Sequence, residues 1–322
     1  MIISIGLIAI GFILLIKGAD FLVDGASNIA KKFHIPEIII GLTIISIGTS
    51  MPELFVSITS AIDGFSDMAM GNVIGSNIAN LFLILGLSAI IKSIPFKRET
   101  RLIEIPLCFI ITAIFFIICV IGQDVSRADS AILIAIFIAF IIYTIVMAKK
   151  GEEFDKEENE EEVNQQADNS RKRSTLKDII AIILGIVALK FGGDLAVDNA
   201  VKVATILGLS EKIISVTILA IGTSLPELVT SVSAAAKGKS DIAIGNIIGS
   251  NIFNMLLIIG VSAAIKPIIY NISYNKDLII LLVGTLVLAL FPLIPPKNKM
   301  SRMNGIVYVL MYLGYMVSLF FI

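Results

Sequence analysis

Residues 18–30 of the chain read GADFLVDGASNIA, and residues 192–204 read GGDLAVDNAVKVA. The two stretches lie 174 residues apart, since 192 − 18 = 174, and the match continues without a gap to Lys92 in the first copy and Lys266 in the second. About half of the ~75 paired residues are identical, which indicates an internal structural repeat. The fold is therefore predicted to consist of two halves built on the same plan.

The composition places both halves in a membrane. Of the 322 residues, 57% are hydrophobic and 16% are charged, and the mean hydropathy is +0.95; a soluble domain cannot bury so much apolar surface. Apolar stretches of about 18 to 25 residues, the length that a helix needs to cross a ~30 Å hydrocarbon layer, alternate with short polar connectors. Ten such spans are predicted, over residues 2–24, 36–62, 67–92, 102–122, 128–148, 176–198, 210–236, 241–266, 277–295 and 302–322.

Each half contains five of these predicted spans. Because five is odd, the second half enters the membrane with the opposite orientation to the first, which makes an inverted-topology repeat. We therefore predict an all-α integral membrane protein with ten transmembrane helices, in which residues 1–148 and 176–322 form the two five-helix repeats. In such architectures the binding site lies near the middle of the membrane, where equivalent segments of the two halves meet.

The connection between the halves, over residues 149–175, has a different composition. Its sequence GEEFDKEENEEEVNQQADNSRKR, residues 151–173, is acidic and has hardly any apolar residues. This composition predicts a disordered linker in the cytoplasm. The segment has neither the glycine turn nor the ligand spacing of an EF-hand calcium loop.

Lysine and arginine are concentrated in alternate loops between the predicted spans, among them the loop with Lys31 and Lys32 and the linker. Cytoplasmic loops carry such an excess of basic residues, so these loops are predicted to lie in the cytoplasm. Both termini are then expected on the opposite side of the membrane. Nothing in the sequence marks an organelle, and a multi-pass protein of the cell membrane is expected.

A polar motif interrupts the second predicted span. It reads GTSMPEL at residues 48–54 and recurs as GTSLPEL at residues 222–228. Proline cannot donate the helical hydrogen bond, so Pro52 and Pro226 are predicted to break or kink their helices and to free the carbonyls of the preceding turn. Freed backbone is tolerated at membrane depth only where it is buried in protein or lines a hydrated cavity.

The same two motifs carry Glu53 and Glu227. A carboxylate at the centre of a membrane costs at least ~2.5 kcal/mol on insertion scales and usually has a function. Thr49 and Ser50 precede Glu53 by four and three residues, so the hydroxyls and the carboxylate share one face of a helix. Thr223 and Ser224 repeat this arrangement in the second half.

A second pair of motifs follows in the third and eighth predicted spans, GNVIGSNIAN at residues 71–80 and GNIIGSNIFN at residues 245–254. Their asparagines and serines recur every four residues and so form a polar stripe on one helix face. Together, the four motifs offer carboxylate, hydroxyl, amide and carbonyl oxygens without histidine or cysteine. Hard cations prefer such a ligand set, and two glutamates neutralise one calcium ion. The stripes are made of Asn72, Ser76 and Asn80 and of Asn246, Ser250 and Asn254.

These motifs, the predicted ten helices and the inverted halves resemble the sodium/calcium exchanger family of the cation/calcium antiporter superfamily. The resemblance covers both halves, with the family's alpha-repeats at residues 41–92 and 215–266. It implies a calcium site built by Glu53 and Glu227 with the carbonyls of Thr49 and Thr223, completed by Asn80 and Asn254. It also implies flanking sodium sites, which would use Ser50, Ser76, Ser224, Ser250 and the carbonyl of Ala220.

The function implied by this resemblance is antiport of sodium for calcium by alternating access, electrogenic and driven by the ion gradient. The chain is expected to be a transporter and not an enzyme, to act as a monomer and to need no cofactor besides the transported ions. The repeat symmetry is broken where Ser46 stands opposite Ala220, so the two sodium sites need not be equivalent. Asn254 stands where some prokaryotic and potassium-dependent relatives carry an aspartate, which argues against potassium co-transport.

Three other functions remain open at this stage. A proton/calcium antiporter of the same fold would use the same glutamates, although such relatives usually carry an asparagine where Thr49 stands. An intramembrane protease would need paired aspartates, a serine with a histidine, or a metal motif such as H-E-x-x-H. A calcium channel would show net flux without any requirement for a counter-ion.

Overall fold

The computed structural model describes the chain apart from residues 159–174, 209–219, 294–296 and 320–322. The predicted linker and the start of the predicted span 210–236 fall largely outside the described residues. In chain order the helices are α1 (Ile2–Lys32), α2 (Glu37–Thr49), α3 (Met51–Asp63), α4 (Ser66–Ile91), α5 (Thr100–Gly122), α6 (Arg127–Glu158), α7 (Thr175–Ile206), α8 (Ala220–Gly222), α9 (Leu225–Ala236), α10 (Ser240–Ile265), α11 (Ile272–Leu293) and α12 (Arg302–Ser318).

The described residues contain seven helices that are long and apolar enough to cross a membrane, and the bent pair α2–α3 raises this number to eight. Among the described residues, the predicted span 210–236 contains α8 and the 12 residues of α9, and the predicted span 302–322 contains the 17 residues of α12. An all-helical, multi-pass membrane architecture is therefore confirmed. Helices α1 and α7 extend to Lys32 and Ile206, each eight residues beyond the predicted ends at 24 and 198. The extension of α1 still contacts α7, since a Cβ atom on Gly25 would lie 2.9 Å from the Asp178 carbonyl oxygen.

Helices α1 and α7 approach each other closely where glycines of one face the backbone of the other. A Cβ atom on Gly11 would lie 2.8 Å from the Gly192 carbonyl oxygen, and one on Gly18 would lie 2.9 Å from that of Gly185. Gly11 precedes Gly18, whereas its partner Gly192 follows Gly185, so the two helices run antiparallel. Small residues permit this close approach, which is common between membrane helices.

Helices α4 and α10 form the centre of the molecule and are the most deeply buried of the long helices. Each contains a π-helical turn, over Ala79–Ile84 in α4 and Asn254–Ile258 in α10. Helix α10 lies so close to α2 that a Cβ atom on Gly249 would come within 2.6 Å of the Leu42 carbonyl oxygen. The apolar side chains of these helices form the main hydrophobic core.

Short strands close the molecule at both ends. Strand β1 (Ile94–Pro95) pairs antiparallel with β4 (Lys299–Met300), and β2 (Asp124–Val125) pairs antiparallel with β3 (Ile268–Ile269). We call these ends the β1–β4 face and the β2–β3 face. Each strand pair joins a loop of the first half to a loop of the second and so ties the two halves together.

Candidate functional site

The two proline motifs break their helices in the same way. Helix α2 ends at Thr49, α3 begins at Met51, and the two are bent by 50°. Ser50 between them has φ −85° and ψ 9°, and Ser224, which precedes α9, has φ −87° and ψ 5°. The breaks predicted at both motifs are confirmed. Helical hydrogen bonding is interrupted there, because each proline in the first turn of the following helix has no N–H to offer.

The breaks place both glutamates deep inside the protein. The side chain of Glu53 is 1% exposed and that of Glu227 is fully buried. Ser50 donates a hydrogen bond to Oε1 of Glu227 at 2.7 Å, and Ser224 lies 3.5 Å from Oε1 of Glu53. Each serine therefore faces the carboxylate of the opposite half. The chain thus brings the two motifs, 174 residues apart, into one site.

Serines of the central helices reach the same carboxylates. Ser76 of α4 lies 3.4 Å from Oε1 of Glu53, and Ser250 of α10 lies 3.5 Å from Oε1 of Glu227. The hydroxyl oxygens of Ser250 and Ser50 lie 3.0 Å apart. The hydroxyl groups predicted from both motif pairs therefore surround the glutamates.

Asn72 and Asn246 hold the breaks against the central helices. Asn246 accepts a hydrogen bond from the Thr49 hydroxyl at 3.1 Å and donates one to Ser231 at 2.9 Å. Asn72 stands 3.4 Å from the Thr223 hydroxyl and donates to Ser57 at 2.9 Å. Each amide therefore links the broken helix of its own half to the break of the other half.

Asn77 and Asn251 are functional candidates that the sequence analysis did not select. They lie one residue beyond Ser76 and Ser250 and therefore off the predicted polar stripe, although both copies of the motif contain them. Asn77 donates its amide N–H to the Asn251 carbonyl at 3.3 Å, and Asn251 donates to the Asn77 carbonyl at 3.3 Å. Asn80 donates to Oδ1 of Asn251 at 3.1 Å, and Asn254 donates to Oδ1 of Asn77 at 2.9 Å.

Four oxygens at this site are buried without a hydrogen-bond donor among the described residues. They are Oε2 of Glu53, Oε2 of Glu227, Oδ1 of Asn80 and Oδ1 of Asn254. A buried acceptor without a partner costs about 1 to 3 kcal/mol, and more if it is charged. A cation that binds these oxygens removes that cost, so the arrangement has the chemistry of a cation site.

The remaining predicted site residues lie in or beside this cluster. All of them except Thr223, which is half-buried, and Ala220 have buried side chains. Ala220 begins the short helix α8 next to the second break, and its side chain lies outside the described set. Ser46, its counterpart in the first half, donates its hydroxyl to the Leu42 carbonyl at 2.8 Å.

A cavity of about 160 Å³ lies beside the two breaks. Pro52, Thr223 and Pro226 line it on the side of the motifs, and Asp194 and Asp198 of α7 line it on the other side. Both aspartates are exposed. The cavity therefore reaches from the buried cluster to carboxylates at the surface.

Comparison with known proteins identifies the family of this site. The family described as "Sodium/calcium exchanger protein" matches residues 3–146 and 177–321. The putative antiporter CaxA of Alkalimonas amylolytica is 36% identical over 322 residues, with 99% of each chain covered. The sodium/calcium exchanger MaX1 of Methanosarcina acetivorans is 32% identical, with 98% of each chain covered.

A solved structure of the sodium-calcium exchanger NCX_Mj, soaked with Na⁺ and Ca²⁺, has the same fold. It superposes with a TM-score of 0.83 at 30% sequence identity and covers 99% of both chains. The match extends over both halves and all four motifs. On these findings, the chain belongs to the sodium/calcium exchanger family, a family of secondary transporters and not of enzymes.

Proposed function

We propose that this chain exchanges Na⁺ for Ca²⁺ across a membrane by alternating access. The observation that carries the proposal is the set of four buried oxygens, two carboxylate and two amide, that have no hydrogen-bond donor among the described residues. Oxygen ligands from carboxylates, amides and hydroxyls suit hard cations such as calcium. The family and the printed names of MaX1 and NCX_Mj agree with these two ions.

The individual ligands proposed here are those that the resemblance to the exchanger family implies, and the four buried oxygens support Glu53, Glu227, Asn80 and Asn254 among them. Glu53 and Glu227, with the carbonyls of Thr49 and Thr223, form the proposed calcium site, and the amide oxygens of Asn80 and Asn254 complete it. The proposed sodium sites flank it. They use the hydroxyls of Ser50, Ser76, Ser224 and Ser250 and the carbonyl of Ala220.

Competition for the same carboxylates couples the two ions. Calcium and a set of sodium ions each bind at Glu53 and Glu227, and a site whose carboxylate charge is offset by bound cations crosses the low-dielectric centre of the protein at lower cost than an empty, charged one. Because the sodium and calcium loads differ in charge, the exchange is electrogenic. The sodium gradient supplies the driving force.

The proposed architecture is ten transmembrane helices in two inverted five-helix repeats, over residues 1–148 and 176–322, with the acidic linker 149–175 between them. The family matches the chain in two segments separated at this linker. Equivalent helices α1 and α7 run antiparallel, as inversion requires. The hydrogen bonds of Asn72 and Asn246 are exchanged between the halves in the same symmetric way.

We further propose that the protein lies in the cell membrane as a monomer, with both termini outside the cytoplasm. The distribution of lysine and arginine supports this orientation, and it makes the β1–β4 face cytoplasmic. A single chain supplies every group of the proposed ion site, which supports a functional monomer.

The test is uptake of radioactive calcium into proteoliposomes loaded with sodium, compared with potassium loading and with an imposed proton gradient at matched sodium. Sodium-dependent uptake that is lost in Glu53→Gln and in Glu227→Gln is the expected result. Glu104→Gln is the matched control, because Glu104 is a buried carboxyl of α5 outside the site. Uptake that a proton gradient drives equally well would instead assign the chain to proton/calcium exchange.

A further inference from the structure

We propose that Asn77 and Asn251 are positioning residues that turn the amide oxygens of Asn254 and Asn80 toward the transported cation. The inference deepens the proposed ion site and rests on it. An asparagine side chain presents an oxygen ligand in one orientation and an N–H donor in the other, which repels a cation. Ion binding therefore requires that something select between the two orientations.

The selection begins at two backbone carbonyls. The amide nitrogen of Asn77 faces the Asn251 carbonyl at 3.3 Å, and that of Asn251 faces the Asn77 carbonyl at 3.3 Å. A carbonyl oxygen can only accept a hydrogen bond. Each of these two side chains must therefore present its nitrogen to the carbonyl and its own Oδ1 in the opposite direction.

The second step follows from the first. Oδ1 of Asn77 accepts from Asn254 at 2.9 Å, and Oδ1 of Asn251 accepts from Asn80 at 3.1 Å. Asn254 and Asn80 must then donate their amide N–H groups to these oxygens. Their own Oδ1 atoms are left over, and both are buried without a donor among the described residues. A reversed amide would place two oxygens against each other and an N–H group at the ion site.

The test measures equilibrium binding of radioactive calcium to the purified full-length protein, with Asn77→Leu as the first variant. Leucine has a similar size but no acceptor, so it releases the amide of Asn254. We expect calcium affinity to fall about 10- to 100-fold, as for other residues that orient metal ligands. Binding by the unmodified protein and its loss in Glu53→Gln test the ion site itself, independently of this inference.

A second variant separates positioning from a general structural role. Asn254→Asp has two equivalent oxygens and needs no orientation, so Asn77→Leu should change calcium affinity by less than about threefold in that background. Asn251→Leu, alone and combined with Asn80→Asp, repeats the experiment in the mirror-related half, in case the Asn77 and Asn254 variants fail to fold. An equal loss in both backgrounds, or no loss in either single leucine variant, would overturn the inference.

A different observation carries a second inference, on the β1–β4 face. Lys237, directly after α9, forms ion pairs with Asp20 at 2.8 Å and with Asp24 at 3.0 Å, both on α1. Lys239 pairs with Asp24 at 2.8 Å. Burial lowers the pKa of Lys237, but the hydrogen bonds and charges of the two aspartates outweigh it and raise the pKa overall. Lys237 is therefore charged at physiological pH.

The equivalent positions of the other half cannot form these pairs. Asp194 and Asp198 correspond to Asp20 and Asp24, but Asp63 stands at the position of Lys237 and Phe65 at that of Lys239, each at the offset of 174. The cavity of about 160 Å³ lies between α7 and α3, where these groups would meet. Helix α1 packs along α9, whereas its counterpart α7 scarcely touches α3 among the described residues.

We infer that the ion pairs of Lys237 and Lys239 form a latch that holds α1 against α9 and closes the β1–β4 face while the β2–β3 face is open. The two halves share one backbone plan, so an equal preference for either face would be the default. Charges that are present in just one of the two halves remove that equality. The inference rests on alternating access, and it can be tested without transported ions.

The test uses two reporter cysteines at equivalent positions. Phe55 is exposed and lines the cavity, whereas Val229 packs against the apolar cluster that contains Ala19 and Val23 of α1. In otherwise unchanged protein, Phe55→Cys should react rapidly with a maleimide and Val229→Cys slowly. The native Cys108 and Cys119 are buried, and protein without a reporter gives the background rate.

The double variant Lys237→Asp with Lys239→Phe carries, at both lysine positions of the latch, the residues that the other half has there. The labelling rate of Val229→Cys should then rise about two- to tenfold, the effect of losing the three partly exposed ion pairs, and that of Phe55→Cys should fall. A separate variant that reverses every charge of the cluster, with Asp20→Lys, Asp24→Lys, Lys237→Asp and Lys239→Asp, keeps the three pairs with opposite sign and should label as slowly as otherwise unchanged protein. Lys97→Gln is the matched control, because its ion pair with Asp241, at 2.7 Å on the same face, does not involve α1. Unchanged rates in the double variant would overturn the inference.

Discussion

The Ser50 hydroxyl donates a hydrogen bond of 2.7 Å to Oε1 of Glu227, and so joins the break in one half of the chain to the buried carboxylate of the other half. The mirror-related pair, Ser224 and Glu53, is separated by 3.5 Å. The two halves are therefore alike in plan but not in detail. This difference predicts unequal effects of equivalent mutations.

Ser50→Ala should weaken transport more than Ser224→Ala. Removal of Ser50 takes a short, charge-assisted hydrogen bond from a buried carboxylate, and bonds of this kind contribute about 1.5 to 3 kcal/mol. A loss of roughly tenfold or more in sodium-dependent calcium uptake is expected, with a smaller loss for Ser224→Ala. Ser88→Ala is the control, since Ser88 is a buried serine of α4 outside the site. Equal losses in the two serine variants would contradict the prediction.

Pro52→Ala should abolish transport without unfolding the protein. Alanine restores the backbone N–H, so the helix can continue from α2 into α3 and reclaim a carbonyl of the preceding turn. We expect the thermal midpoint in detergent to stay equal or rise, while calcium uptake is lost. Pro106→Ala is the control, because Pro106 lies in α5, directly after its π-helical turn Thr100–Glu104, and is not among the site residues. A variant with normal uptake would show that the break is not required.

Gly18→Ala should destabilise the protein by about 1 to 3 kcal/mol, the usual cost of overpacking. Its new methyl group would lie 2.9 Å from the Gly185 carbonyl oxygen and from the Leu189 nitrogen, both of which belong to backbone. Thermal unfolding in detergent measures the change. Gly6→Ala, in the same helix, should have no such cost, because no atom lies within 4 Å of the added carbon. Equal midpoints for the two variants would mean that α1 and α7 separate easily.

Calcium uptake should depend on the membrane potential. The sodium and calcium loads that bind at Glu53 and Glu227 are proposed to carry different net charge, and moving one charge through 100 mV corresponds to about 2.3 kcal/mol. Uptake into sodium-loaded proteoliposomes should therefore differ between inside-positive and inside-negative potentials, set with potassium and valinomycin. Identical initial rates at the two potentials would contradict electrogenic exchange.

Several features of the fold could be predicted because their causes are local. The apolar spans follow from hydropathy, and the breaks follow from Pro52 and Pro226, which lack an N–H wherever the chain places them. Spans 210–236 and 302–322 were predicted from hydropathy in the same way, and the described residues place α9 and α12 within them. The polar stripe was found through its spacing of four residues, and Asn77 and Asn251 were missed because they lie one residue off that spacing.

The sequence by itself determined that the chain has two copies of one plan, that each copy has a broken helix with a buried carboxylate, and that the oxygen ligands suit a hard cation. Only the tertiary structure decided which groups meet across the copies. Asn77 contacts Asn251, 174 residues away, and Lys237 pairs with Asp20 from a distant helix. Such contacts leave no periodic trace in the sequence, because they depend on the packing of helices from different halves and not on the spacing within any one of them.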